Sequence, residues 1–431
     1  MAITGRAGVL ALIGVIVVAL GVPSWTGVLG VLAVLCVGVV VDLALAGSVR
    51  GLVFTRDGAT SGRLGEPVEV TLSVSNPGPR RVRGVLRDAW PPSAGVVQDR
   101  HPIAVPPRGR QTVTLRMRPS RRGDREADRV TVRSAGPLGL AARQGAHRVP
   151  WTVRVLPPFH SRRHLPSRLA RLQQLDGRQA ALVRGEGTEF DSLREYVIGD
   201  DVRSVDWRAT ARAADVMVRT WRPERDRHLV LVLDTGRTSA GRVGDSPRLD
   251  AAMDAALLLA VLASRAGDRV DLIAYDRRLR AKVTSTSAAE LLPSLVGAMA
   301  PLEPSLVETD ARGMVAEILR RAPRRALIVL FTGLDAAPLE EGLLPVLPSL
   351  SARHRLLLAA VGDPRVAEMA RGRGDAEAIY DAAAAERALA ERRHVTGLLV
   401  RYGVEVVDAV PEELPPALTD RYLALKAAGR L

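Results

Sequence analysis

Two stretches near the amino end, residues 7–22 and 27–41, contain no charged residue at all. Extended through Ala44-Leu45-Ala46, the second reaches the roughly 17–25 residues that cross a bilayer, and the first sits at the lower end of that range. Between them lies Pro23-Ser24-Trp25-Thr26. Pro23 breaks a helix and Trp25 suits a membrane interface. The spacing predicts two short transmembrane helices within residues 1–48, joined by a tight turn, with both ends on one side. The turn has no basic residue, Arg6 flanks the first run, and Arg50 and Arg56 follow the second. That bias places both ends in the cytoplasm. The expectation is a multi-pass protein of the cell (cytoplasmic) membrane, with lipid as a partner and soluble domains inside. Two readings compete with it. A cleaved signal peptide is one, although the basic n-region is minimal and no strong small-x-small site follows. A single signal anchor that exports the domain is the other.

A chain of 431 residues has room for two or three domains. Its hydrophobic share is 47% but its aromatic share only 3%, so the cores are built from Leu, Val and Ala. The formal charge of +14 is uneven: residues 50–160 hold 20 arginines against 8 acids, whereas residues 227–431 hold 27 basic and 27 acidic residues. The basic stretch suits anionic lipid headgroups, or is a solvated arginine-rich surface. No aromatic-interleaved basic stripe or recognition helix points to nucleic acid. The single Cys36 allows neither a disulfide nor a thiolate metal site within one chain.

Residues 49–157 alternate apolar and polar side chains in short segments, at 67–75, 82–86, 111–118, 128–133 and 151–156. Gly/Pro turns such as Asn76-Pro77-Gly78-Pro79 separate them. The pattern predicts a small all-β, immunoglobulin-like sandwich. In residues 158–226, Leu165, Leu169, Leu172 and Leu175 recur at helical spacing and predict a connecting helix or loop before a charged block. From residue 227 onward, apolar runs alternate with helical patterns. The run His228-Leu229-Val230-Leu231-Val232-Leu233 ends in Asp234, as a central parallel strand does. Further strands fall at 269–275, 325–332, 356–361 and 404–407, with an antiparallel edge strand at 279–284. The prediction for 227–431 is a Rossmann-like, doubly wound α/β domain, which binds ligands at the carboxyl ends of its strands. No phosphate-binding glycine fingerprint is present. No nucleophile elbow or Cys–His pair is present, and His354 and His394 read as packing or surface residues.

The charged block, residues 185–226, crowds carboxylates, arginines, glycines and aromatics. It reads as a fixed polar loop system held by arginine–carboxylate forks. Glu186, Glu189, Asp191, Asp200, Asp201 and Asp206 would suffice for a metal-dependent hydrolase with a two-metal site. The competing reading pairs them with Arg184, Arg194, Arg203, Arg208 and Arg212.

This block resembles the signature of the bacterial "domain of unknown function 58" family. The resemblance rests on Gly185, Gly187, Glu189, Phe190, Arg194, Glu195, Tyr196, Gly199, Asp200, Asp206 and Trp207. It implies two membrane helices, a sandwich-like region and a C-terminal domain similar to the von Willebrand factor A domain. It also implies a role as a membrane-anchored adaptor or scaffold, not an enzyme, working with a MoxR-type AAA+ ATPase in protein assembly or envelope-related processes. A-type domains often hold Mg²⁺ above the sheet through Asp-x-Ser-x-Ser, a loop Thr and a later Asp. Here the resemblance assigns Asp234, Thr238 and Thr309 to such a site. Gly236 stands where the first Ser is expected and Gly333 where the later Asp is, with Asp335 two residues on. The site is therefore degenerate, and the competing reading is a cleft that binds partners without metal.

Overall fold

The computed structural model describes residues 2–21, 23–182, 189–198, 200–213, 215–222, 227–284 and 287–431. Two compact units result, Met1–Leu156 and Pro157–Leu431.

The first unit opens with strand β1 (Ala2–Ile3) and two apolar helices, α1 (Gly5–Gly21) and α2 (Trp25–Leu45). Ser24 caps α2, its hydroxyl accepting from the Gly27 N–H at 3.3 Å. The two helices approach closely where Gly14 leaves room for Val31: a Cβ at Gly14 would lie 2.3 Å from Val31 Cγ1. Among the described residues, α2 alone qualifies by length and composition as a membrane span, with a mean hydropathy of 2.8. The expectation of two qualifying spans is corrected to one. At 17 residues, α1 rises only about 25 Å against a hydrocarbon core of about 30 Å.

Ten strands follow: β2 (Val53–Gly58), β3 (Ser61–Arg63), β4 (Val68–Ser75), β5 (Val82–Asp88), β6 (Arg100–Val105), β7 (Arg110–Met117), β8 (Gly123–Glu126), β9 (Val130–Ala135), β10 (Ala141–His147) and β11 (Thr152–Leu156). They form sheets ordered β1-β10-β9-β5-β6, β2-β4-β7 and β3-β11-β8. The first two share one core, in which Leu72, Val74 and Leu115 meet Val82, Leu86 and Val132. The inward residues alternate along each strand, as a half-buried strand requires. The third sheet departs from an antiparallel immunoglobulin-like sandwich, because β3 pairs parallel with β11. Sequence patterning passed over β2, β3, β6 and β8; β10 is Ala-Ala-Arg-Gln-Gly-Ala-His and is held by pairing with β9 rather than by apolar alternation.

The second unit begins with α3 (Leu165–Leu182). Next come β12 (Glu189–Glu195), the short α4 (Trp207–Thr210) and β13 (Met217–Arg222). Its body contains β14 (His228–Asp234), α5 (Arg237–Ala240), a small hairpin of β15 (Arg242–Val243) and β16 (Ser246–Pro247), α6 (Arg248–Arg265), β17 (Arg269–Tyr275) and β18 (Leu279–Val283). After these come α7 (Ala288–Met299), α8 (Ala311–Arg321), β19 (Leu327–Phe331), α9 (Leu347–Ser351), β20 (Arg355–Val361), α10 (Pro364–Met369), α11 (Ala376–Arg401), β21 (Glu405–Ala409) and α12 (Leu414–Ala427). The sheet order is β18-β17-β14-β19-β20-β21. All neighbours are parallel except the antiparallel edge strand β18. Val230, Val232, Ile328 and Leu358 pack with Met314, Ile318, Leu339 and Leu399 on one face. Outside that cluster, α6 and α12 lie against β14, β17, β20 and β21. The sheet is thereby covered on both sides, as near-continuous apolar strands demand. A buried trio fastens α12: the Asp268 carboxylate takes the Lys426 ammonium at 3.0 Å and the Tyr422 hydroxyl. Burial raises the Asp268 carboxyl above its usual range, against the pull of Lys426.

Candidate functional site: the cleft above strands β14 and β19

Parallel strands carry their loops at the carboxyl end, so the last residues of β14 and β19 are presented side by side. Leu233 stands beside Phe331 in the register, which puts Asp234 and Thr332 next to each other at the rim. Asp234 is 4% exposed. Its Oδ1 accepts from the Gly236 N–H at 2.8 Å and the Thr309 hydroxyl at 2.5 Å. Its Oδ2 accepts from the hydroxyls of Thr238 at 2.9 Å and Thr332 at 2.6 Å. The structure thus brings together Asp234, Thr238 and Thr309, the three residues assigned to the degenerate metal site, and adds Thr332. Sequence reading missed Thr332, although a hydroxyl directly after an apolar parallel strand, level with an Asp on the neighbouring strand, was the available signal.

Gly236 is required by its surroundings. A Cβ there would lie 2.1 Å from Thr309 Oγ1, so a Ser would displace the loop hydroxyl. Gly333 is crowded in the same way, with Asp335 Oδ2 2.5 Å from the position of its missing Cβ. Asp335 therefore folds back toward the place where a side chain at 333 would project. There it faces Arg248, Oδ2 to Nη1 at 3.5 Å.

A cavity of about 410 Å³ opens above this floor. Met314, Leu330, Leu339 and Leu343 supply an apolar wall, and Arg237, Glu308 and Glu341 supply charge. Arg237 and Glu308 pair at 2.5 Å across exposed surface. One wall is the π-helical turn Pro338–Leu343, absent from the sequence expectation. Such turns are rare and often mark functional sites.

These donors do not fit a magnesium ion. Hard octahedral sites need several anionic or carbonyl oxygens with free lone pairs. Here one carboxylate receives four hydrogen bonds, the three hydroxyls aim their protons at it, and Asp335, beside Gly333, faces an arginine. Among the described residues, no three His, Cys, Asp or Glu side chains converge as a metal set.

The charged block takes a different form from the expected loop system. It is a β-hairpin in which β12 pairs with β13, bridged by a polar loop. Charges at Glu189, Asp191, Arg194, Glu195, Arg219 and Arg222 hide this pairing from a hydrophobic pattern. Forks do hold the loop. Arg194 grips Asp200 through two bonds, at 2.8 and 2.6 Å, and the carboxylate holds the guanidinium in its charged form. Asp206 caps α4 by accepting from the Arg208 and Ala209 N–H groups, both at 3.0 Å, and also takes Arg219 at 2.8 Å. The Ala209 N–H, followed by Arg219, lowers its pKa. Asp201 accepts from the Arg203 N–H at 2.9 Å. Arg203 and Arg208 thus contribute backbone donors here. Tyr196 and Trp207 lie exposed on the surface, as does Glu195. Gly185, Gly187, Gly199, Arg184 and Glu186 fall outside the described residues, while Glu189 and Phe190 belong to β12.

The chain matches the family described as "Protein of unknown function DUF58" over residues 192–416, more than half of its length. It belongs to the DUF58 family. The matched span of this DUF58 chain begins within β12 and runs into α12, so it includes the whole cleft. Uncharacterized proteins of Mycobacterium tuberculosis and Mycobacterium bovis are each 27% identical to it over 197 residues, 45% of this chain and 61% of theirs. The DUF58 chain thus covers less than two thirds of the length of these curated relatives. Among solved structures, the CARDB domain of a Pyrococcus furiosus protein is 15% identical, covering 24% of this chain and 86% of that one with a TM-score of 0.19. A β-glucosidase of Listeria innocua is 14% identical over 23% of this chain and 16% of its own, with a TM-score of 0.15. Neither likeness bears on the fold.

Proposed function

We propose that this DUF58 protein is a membrane-anchored docking module, an adaptor and not an enzyme, which seats a protein partner in the cleft above β14 and β19 without a bound cation. One observation carries the reading: the cleft floor is a carboxylate already satisfied by four internal donors, under an apolar wall with charge at its lip. That combination buries an apolar side chain and orients it by polar contacts at the edge. The domain that bears it is akin to the von Willebrand factor A type, and the sheet order with Asp234 ending a central strand supports that kinship. The partner implied by the family resemblance is a MoxR-type AAA+ ATPase.

The anchor is a hairpin of the qualifying span α2 and the shorter α1, whose shortfall of about 5 Å is met by local thinning of the bilayer, with the soluble units in the cytoplasm. The uncharged turn and Arg6 and Arg50 at the opposite ends support this sidedness. The hydrolase reading is disfavoured because Asp200 and Asp206, two of its ligands, are engaged by Arg194 and Arg219.

The test is co-purification of the full chain, extracted from membranes, with a MoxR-type AAA+ ATPase of the same organism held in an ATP-trapped state. Wild type and Glu391→Arg, placed on α11 outside the cleft, should retain the ATPase, and Glu341→Arg at the lip should release it. The reading fails if no variant retains the ATPase, or if Glu341→Arg retains it as wild type does.

A further inference from the structure

Asp42 lies in the last turn of α2 and is completely buried, although a carboxylate so near a lipid-facing segment is costly. Its cover is the loop joining β9 to β10, residues 136–140, together with the first residue of β10. Asp42 Oδ1 accepts from the Leu138 N–H at 2.7 Å, and Oδ2 from the N–H groups of Leu140 and, at 3.0 Å, Ala141. The Gly136 N–H donates to the Ala141 carbonyl and the Gly139 N–H to the Gly136 carbonyl, both at 3.2 Å. Pro137 has no N–H. Every backbone donor of the loop is therefore satisfied inside the protein. Irregular backbone tolerates membrane depth only under that condition, whereas a loop in water has no need of it.

The loop also sits below the helix end. A Cβ at Gly38 would lie 2.8 Å from Leu140 Cδ1 and 3.9 Å from Leu138 Cδ1. Gly38 is seven residues before Leu45, about 10 Å down the helix axis. Leu138 nevertheless remains 51% exposed. Above it, the carbonyls that end α2 are capped by guanidinium groups, Leu43 by Arg143 at 2.8 Å and Ala44 by Arg80. Arg6, Arg50 and Arg81 are exposed in the adjoining segments, where Asp42 is the sole acid.

We propose that residues 136–140 form a wedge seated in the bilayer, with Leu138 at the margin of the acyl chains and the arginine collar against anionic phospholipid headgroups. This rests on the reading of α2 as a membrane span. It makes the sandwich a body held rigidly on the membrane surface rather than one tethered by a linker.

The test uses the full chain reconstituted in vesicles of phosphatidylglycerol and phosphatidylcholine. A fluorophore is placed at native Cys36 in α2, at Leu138→Cys, or at Val97→Cys, the last two in a Cys36→Ala background. Val97 is exposed on the sandwich. Nitroxide lipids should remove most of the emission at Cys36 and Leu138, and aqueous iodide most of it at Val97. If Cys36 is lipid-quenched while Leu138 responds to iodide as Val97 does, the wedge is wrong and the anchor stands. If Cys36 itself responds to iodide, the anchor reading falls. Quenching of Leu138 that is equally strong in phosphatidylcholine alone would remove the anionic-headgroup part.

Discussion

Asp234 shows how one carboxylate organises a rim. Four donors from three loops converge on it, so removing it takes the carboxylate acceptor from three hydroxyls and one N–H. Asp234→Ala is expected to cost about 2–3 kcal/mol, and Thr332→Val about 1 kcal/mol, in thermal unfolding of the full chain in detergent. His354 is the opposite case. It is 5% exposed and neither ring nitrogen has a hydrogen-bond partner. Burial lowers its pKa, reinforced by the nearby Arg353 and His228. The folded chain thus keeps this ring neutral while the unfolded chain takes up a proton below about pH 6.5, so its contribution to stability falls as pH drops through that value. His354→Leu should raise stability by about 1 kcal/mol near neutrality and by more at about pH 5.5. Asp254 and Asp268 act with the reverse sign, because burial raises both carboxyls and favours the folded state in acid. The difference between wild type and His354→Leu isolates the histidine; equal stabilities at both pH values would contradict the assignment.

Elements were legible where chemistry and period coincide. The apolar runs of β14, β17, β19 and β20 have no solvated face, so they read directly as buried parallel strands. The hairpin β12–β13 did not, because its charges serve forks and caps rather than solvent. Arg56 was misleading in another way. As a residue in sequence it counts toward the positive charge flanking a membrane helix. In the fold it is buried, with its side chain 1% exposed, and pairs with Asp88 at 2.6 Å across the two sheets. Its Nε donates to the Val149 carbonyl at 3.0 Å, its guanidinium lies 5.4 Å from the Trp90 ring centre, and the Trp90 N–H reaches Asp88 at 3.2 Å. Such pairing depends on strands distant in sequence and leaves no periodic trace. Asp88→Ala strands a buried guanidinium and should cost about 3–5 kcal/mol, read as a fall in the melting temperature of the sandwich. A loss no larger than that of an exposed pair such as Arg116–Glu69 would show that the staple is dispensable.

At the scale of the whole molecule, an apolar amino end, a β-rich unit and an α/β unit follow one another in the order the sequence announces, and the cleft lies where a parallel sheet puts its ligand edge. The chemistry of that edge was less legible, since Gly236 and Gly333 become meaningful only once Thr309 and Asp335 are seen to fill the space beside them. A ligand that binds only the folded state raises its melting temperature. Millimolar Mg²⁺ should therefore leave the melting temperature of the full chain unchanged, and an upward shift abolished by Asp234→Asn would restore a cation to the site. The most direct test of the account is photo-crosslinking in intact cells, with a photoreactive residue at Glu341 on the cleft lip or at Glu391 on α11. The account predicts a discrete adduct containing a MoxR-type AAA+ ATPase from position 341 and none from 391; no ATPase adduct from 341, or the same adducts from both positions, would contradict it.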